Sequence, residues 1–148
     1  MIKSEMDKRW LYNGLYIDEI PDSFAYGFVY KITHIDQETG EEKYYIGKKN
    51  FYFETNVKKG KKELIAMADK RGSKKKKITK ESDWKKYQSS NDFLKSVELH
   101  ELIREMLLLC YSKTELTYQE TKHLFLNEVL ESDKYLNNNI LGKFYKVK

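Results

Sequence analysis

The chain has 148 residues, with 28 Lys or Arg against 23 Asp or Glu and a formal net charge of +5. That length supports one domain with a modest core, and a lone cysteine, Cys110, excludes an internal disulfide or a thiolate zinc cluster, which makes the reducing cytoplasm the expected compartment. No apolar run approaches the roughly 20 residues that span a bilayer, and Met-Ile-Lys-Ser-Glu-Met-Asp-Lys-Arg lacks a signal-peptide core, so a soluble, non-secreted protein with no membrane partner is expected.

Residues 1–22 mix charge with aromatics and break at Pro21; they read as a peripheral N-terminal extension to a domain over 23–148. Phe24 to Ile35 is β-branched or aromatic at most positions, and Asp36-Gln37-Glu38-Thr39-Gly40 supplies turn chemistry. A short second strand, Lys43 to Gly47, completes a hairpin. A loop of about four or five residues sets Tyr30 nearly opposite Tyr45. Such a pair commonly does no more than stabilise a sheet. Here, however, Tyr45-Ile46-Gly47-Lys48-Lys49 follows the tyrosine with a glycine, which permits close approach, and two lysines, which suit an anion.

From Lys48 to Tyr87 there are 15 basic and 5 acidic residues, a local excess of +10 that leaves the remainder at −5. A field with that direction beside the hairpin is the footprint of nucleic acid, with Lys74, Lys75, Lys76, Lys77, Trp84 and Lys85 as candidate contacts. A solvated lysine loop is the plain alternative for Lys74 to Lys77. Residues 51–80 read as a basic insertion. Within it, Lys61 to Lys70 suits a short helix ended by Gly72, and Ser73 to Lys80 is expected to order only on a polyanion.

Ser90 to Val97 reads as a short helix with Phe93, Leu94 and Val97 inward. Leu102 to Cys110 suits a buried helix or a central strand. The strand is taken, because a hairpin needs a third partner for independent stability. Thr114 to Leu130 is a clearer helix, with Thr114 or Thr117 as N-cap and Tyr118, Leu124, Phe125, Val129 and Leu130 as core positions. The expected fold is α+β, a small three-stranded, mostly antiparallel sheet flanked by helices.

Phe28-Val29-Tyr30 followed by Tyr45-Ile46-Gly47 resembles the paired motif of the GIY-YIG endonuclease family, with Phe28 where the family has glycine and Gly27 one residue earlier. The finer likeness is to small stand-alone bacteriophage members. The resemblance implies hydrolysis of DNA phosphodiesters with one divalent metal, Mg²⁺ or Mn²⁺, leaving 5′-phosphate and 3′-hydroxyl ends. It implies a metal-holding glutamate on the helix after the third strand, which Glu120 matches. One hard oxygen ligand, completed by water and phosphate, is what Mg²⁺ requires, although a glutamate near a helix N-terminus is most often a solvated residue. His123, three residues on, reads as structural.

The resemblance also implies that one of Tyr30 and Tyr45 takes a proton from the attacking water while the other orients it. An asparagine closing the domain matches Asn137, with Asn138 and Asn139 as neighbours in register. The family arginine after the second strand has Thr55 at the nearest spacing. Arg71 matches only across an insertion, and Lys48, Lys49 or Lys85 would serve as point charges in its place. Two other classes compete: a catalytically silent nucleic-acid-binding module with Trp84 and Tyr87 stacking on bases, and an interaction protein whose lysines meet an acidic partner. Cutting both DNA strands requires two sites, sequential nicks or a homodimer.

Overall fold

The structure, a computed structural model, describes residues 8–58, 60, 61 and 75–147; of Lys58 and Lys75 it describes the backbone alone. The chain forms two compact units, residues 1–51 with 83–148, and Tyr52–Ser82.

The larger unit is built on a mixed sheet of five strands in the order β2-β1-β7-β3-β4, where β1 is Trp10–Tyr12, β2 Leu15–Ile17, β3 Gly27–Ile35, β4 Glu42–Asn50 and β7 Leu102–Cys110. The three expected strands form its antiparallel part, β7-β3-β4. The other two come from residues read as peripheral. Asn13 and Gly14 both take positive φ, 51° and 79°, the pair of left-handed residues that a tight hairpin turn requires. They fold β1 against β2, and β1 then runs parallel to β7. Trp10 is 1% exposed, its indole N–H donating to the Trp84 carbonyl at 2.7 Å. The early segment is therefore a sheet component and carries one of the largest core side chains. Its three-residue strands are too short for alternation to be legible.

Period-two alternation divides the sheet's faces. Val29 and Ile46 point to one face and join Cys110, Leu116, Leu124, Val129 and Ile140 in a core under helix α2, Lys113–Leu126. Ser112, rather than Thr114 or Thr117, caps this helix by accepting from the Glu115 amide. Of the expected helix core, Leu124 and Val129 are buried, but Tyr118 and Phe125 are 63% and 49% exposed while Leu116 is buried. The other face carries Phe28 and Tyr30, packed with Trp10 and Phe51. A short helix, α1, spans Asp92–Ser96 with Leu94 buried and Phe93 45% exposed.

The smaller unit is an antiparallel ribbon of β5, Tyr52–Lys58, and β6, Lys75–Glu81. Most of the segment expected to order only on a polyanion is thus a paired strand. The helix expected over Lys61 to Lys70 lies outside the described residues apart from Lys61. A last pair, β8 Asn139–Ile140 and β9 Phe144–Tyr145, closes the chain.

Candidate active site

The hairpin register differs from the expected one by two residues. Tyr30 pairs with Gly47 and Tyr45 with Ile32, because the connection takes six residues, Asp36 to Glu41. The tyrosines are therefore diagonal neighbours on one face, their rings stacked at 6.3 Å with 27° between planes. Gly47 lies beneath the Tyr30 phenol. A Cβ at that position would meet the Tyr30 hydroxyl and come within 2.6 Å of its Cζ. The glycine of Tyr-Ile-Gly is required by the tyrosine across the ladder, since any side chain would take the space of the phenol. Next to this pair the register between β3 and β7 shifts, a bulge that leaves Leu107 between Met106, opposite Tyr30, and Leu108, opposite Val29.

A segment remote in sequence covers the phenols. Tyr87 meets Tyr30 edge-on at 5.9 Å, and Ser89 lies beside it. Ser90 Oγ lies 3.5 Å from Tyr45 Oη. Ser89 is buried with φ at 77°, a left-handed conformation that costs a non-glycine residue energy and persists only where its surroundings hold it. Ser89 Oγ accepts from the Asn91 amide at 2.8 Å, and the stretch just before it is anchored by Arg104, buried in β7, which donates to the carbonyls of Lys85 at 3.0 Å, Tyr87 at 2.8 Å and Lys8. Burial lowers the Arg104 pKa to about 10. Lys49 also meets this segment, with its Nζ 2.7 Å from Asp83 and 4.3 Å from the Tyr87 ring centre.

The two phenols differ in environment. Tyr30 is 1% exposed, and burial first, then the neighbouring Tyr87 and Tyr45, push its pKa well above that of an ordinary phenol. Tyr30 is held neutral. Tyr45 is half-buried and lines a cavity of about 330 Å³ with Ser90, Asn91, Asp92, Leu136 and Asn138 among its walls.

Lys48 and Glu120 belong to the other face. Lys48 Nζ donates to Thr117 Oγ1 at 2.9 Å on α2, and its charge acts on Glu120 one helical turn later. The Glu120 carboxyl is half-buried and takes no hydrogen bond from the described residues; burial raises its pKa, against a smaller opposing pull from Lys48. A desolvated, unbonded carboxylate is a suitable single ligand for a hard divalent cation, which completes its shell with water and phosphate oxygens. No group of three or more His, Cys, Asp and Glu gathers among the described residues.

The two sets flank the outer edge of β4, the last strand of the sheet. That edge is partly closed. The Tyr44 amide donates to the Lys134 carbonyl at 2.8 Å and its carbonyl accepts from the Leu136 amide at 2.7 Å. Two residues on, Asn137 imitates a strand with its side chain: Oδ1 accepts from the Ile46 amide at 3.1 Å and Nδ2 donates to the Ile46 carbonyl at 2.8 Å. By the same period, the next outward-facing backbone groups are those of Lys48, where the pairing stops.

The family model described as "Putative endonuclease segE, GIY-YIG domain" matches residues 10–140. The chain belongs to the GIY-YIG endonuclease family. No curated protein and no solved structure matches it at a comparable level.

As a GIY-YIG domain, the chain brings together Tyr30, Tyr45 and Lys49 on one face, Lys48 and Glu120 on the other, and Asn137 at the edge between them. Phe28, standing where the motif has glycine, is fully buried 4.8 Å from the Phe51 ring. Both Arg71 and Lys74 lie outside the described residues. Lys76 and Lys77 are exposed on β6, to which Lys75 contributes backbone. Trp84 is 1% exposed and packs perpendicular to Phe51 at 5.4 Å, so its ring is a core element and not a platform for bases. The Lys85 ammonium is half exposed, 4.0 Å from Glu19. Three contributors escaped sequence reasoning: Ser89, Arg104 and the Tyr87 ring that packs on Tyr30. Only Arg104 left a signal, a charge inside an apolar strand. The other two carry no motif, since their contacts with the hairpin are formed by tertiary folding.

Proposed function

We propose that this chain is a metal-dependent endonuclease that hydrolyses DNA phosphodiester bonds. The observation that carries the reading is the packing of the Tyr30 phenol onto Gly47. It ties both halves of the paired motif into one object and leaves Tyr45 as the phenol open to substrate. Glu120, desolvated and unbonded beside Lys48, would hold Mg²⁺ or Mn²⁺. A divalent cation there supplies Lewis-acid polarisation of the phosphate and stabilises the leaving oxygen.

The chain's own groups divide the remaining work. Tyr45, in its phenolate form, takes a proton from the attacking water as the P–O3′ bond breaks, and the leaving 3′ oxygen takes a proton from solvent, giving a 5′-phosphate and a 3′-hydroxyl. Tyr30, held neutral by burial, positions Tyr45 through the stacking of their rings. Lys48 offers its ammonium and an outward-facing backbone amide to the phosphate, which approaches along the open part of the β4 edge. Asn137 keeps that edge straight by pairing both backbone groups of Ile46. Lys49 is tied to Asp83 and Tyr87, so its charge acts on the phenol cluster and is not free to follow the substrate.

The test is incubation of the protein with supercoiled plasmid and with genomic DNA, in Mg²⁺ or Mn²⁺, against EDTA and Glu120→Ala. Nicking or linearisation that both controls abolish, with DNA binding retained by Glu120→Ala, is expected. Cleavage that survives Glu120→Ala would overturn the metal assignment. DNA that shifts on a gel but stays intact under all conditions would favour the silent binding module.

A further inference from the structure

Among the described residues, the Tyr52–Ser82 unit shows a two-stranded ribbon with no buried side chain, and a two-stranded hairpin is marginally stable in water by itself. Its charge is unevenly placed along the ladder. The three pairs at the end remote from where the chain enters and leaves, Asn56↔Lys77, Val57↔Lys76 and Lys58↔Lys75, contain four lysines and no acid. Glu54 and Glu81 sit in the pairs nearer the other end. Lys58 and Lys75 are register partners at that end of the ladder. In the sequence, residues 59–74 that link the strands add six basic residues and two acidic ones.

We propose that this ribbon is the duplex-gripping element of the protein, lying in the major groove of DNA with its lysine-rich end on the flanking phosphates. The inference rests on the reading of the chain as a protein that acts on DNA. Size agrees: a seven-residue strand extends about 20 Å, and the major groove, about 12 Å wide, admits a two-stranded antiparallel ribbon. Glu54, Asn56, Lys77 and Thr79 alternate onto one side and are all exposed, with Lys77 Nζ 3.9 Å from the Glu54 carboxylate; on the other side Thr55, Val57 and Ile78 are half-buried while Phe53, Lys76 and Lys80 are exposed. The first side offers a carboxamide, a hydroxyl and an ammonium shared with Glu54, groups that hydrogen-bond base edges and phosphates. The lysines would set affinity and its salt dependence, while Asn56 and Thr79 are placed to reach the bases.

The experiment is fluorescence anisotropy of the full chain on a labelled duplex across a salt series, in EDTA so that nothing is cut, with K75Q/K76Q/K77Q beside wild type. Far-UV circular dichroism checks that the variant folds. The slope of log K against log salt should fall by about 2.7 in the variant, roughly 0.9 for each phosphate that the removed lysines no longer neutralise. For wild type, methylation of guanine N7 in the major groove should weaken binding, and netropsin in the minor groove should leave it in place. A folded variant with an unchanged slope would overturn the proposal, as would displacement by netropsin without an effect of N7 methylation. Wild type that binds and cleaves duplex while the variant keeps its slope condemns the ribbon assignment alone. Wild type that neither binds nor cleaves duplex overturns the DNA reading as well.

Discussion

Gly47→Ala tests the packing on which the site is built. An added Cβ would stand 2.6 Å from Tyr30 Cζ, inside the closest approach real Cβ atoms make, and 3.1 Å from its Cε2, a tight contact. The phenol cannot swing aside cheaply. Its ring is confined by Trp10 at 5.6 Å, Tyr87 at 5.9 Å, Phe28 at 6.2 Å and Tyr45 at 6.3 Å, and it is 1% exposed. Overpacking of this kind costs about 1–3 kcal/mol, a fall in Tm of roughly 2–12 °C for a chain of this size. Urea unfolding followed by circular dichroism measures the cost, and plasmid nicking should fall further than stability does, since Tyr30 is displaced even in the folded fraction. The double variant Gly47→Ala with Tyr30→Phe, which removes the hydroxyl nearest the new methyl, should recover part of the lost stability and none of the nicking. A Gly47→Ala protein as stable and as active as wild type would refute the reasoning, as would additive costs in the double variant.

Glu120→Gln should gain stability while losing cleavage. Burial raises the Glu120 pKa in the folded chain, so its contribution is present below the ordinary glutamate range near 4.3 and is lost as pH rises through the higher folded value. Thermal melts should therefore show a higher Tm than wild type at pH 7 without metal and no gain near pH 3.5, and Mg²⁺ should raise the Tm of wild type alone. Asn137→Asp keeps the acceptor for the Ile46 amide but sets a carboxylate oxygen against the Ile46 carbonyl; a loss of about 1–3 kcal/mol at pH 7, smaller at pH 4, is expected in urea titrations. Arg104→Lys cannot reproduce the guanidinium fork that holds three carbonyls, and should cost about 2–4 kcal/mol by the same measurement, with loss of order around Ser89 seen as faster amide exchange.

Much of the hairpin was legible because its signals are local: β-branched and aromatic residues, a turn, and a glycine between a tyrosine and two lysines. The register was not. A one-residue slip would have reversed the faces, but the observed slip of two keeps both tyrosines on one side and changes which residue each opposes. Trp84 shows the opposite failure, since a tryptophan beside lysines suggests base stacking and only packing against Phe51 reveals it as core.

The family, the tyrosine pair, the third strand and the helix bearing Glu120 were thus determined by sequence alone, because each depends on residue types a few positions apart. Tertiary structure decided the rest. It recruited Trp10–Ile17 into a five-stranded sheet, used Asn137 to pair the edge beside Ile46, and buried Tyr30 beneath Tyr87 and Ser89 so that the two phenols became chemically unequal. Desolvation and edge pairing are properties of what surrounds a group in space, and residues far apart along the chain supply those surroundings.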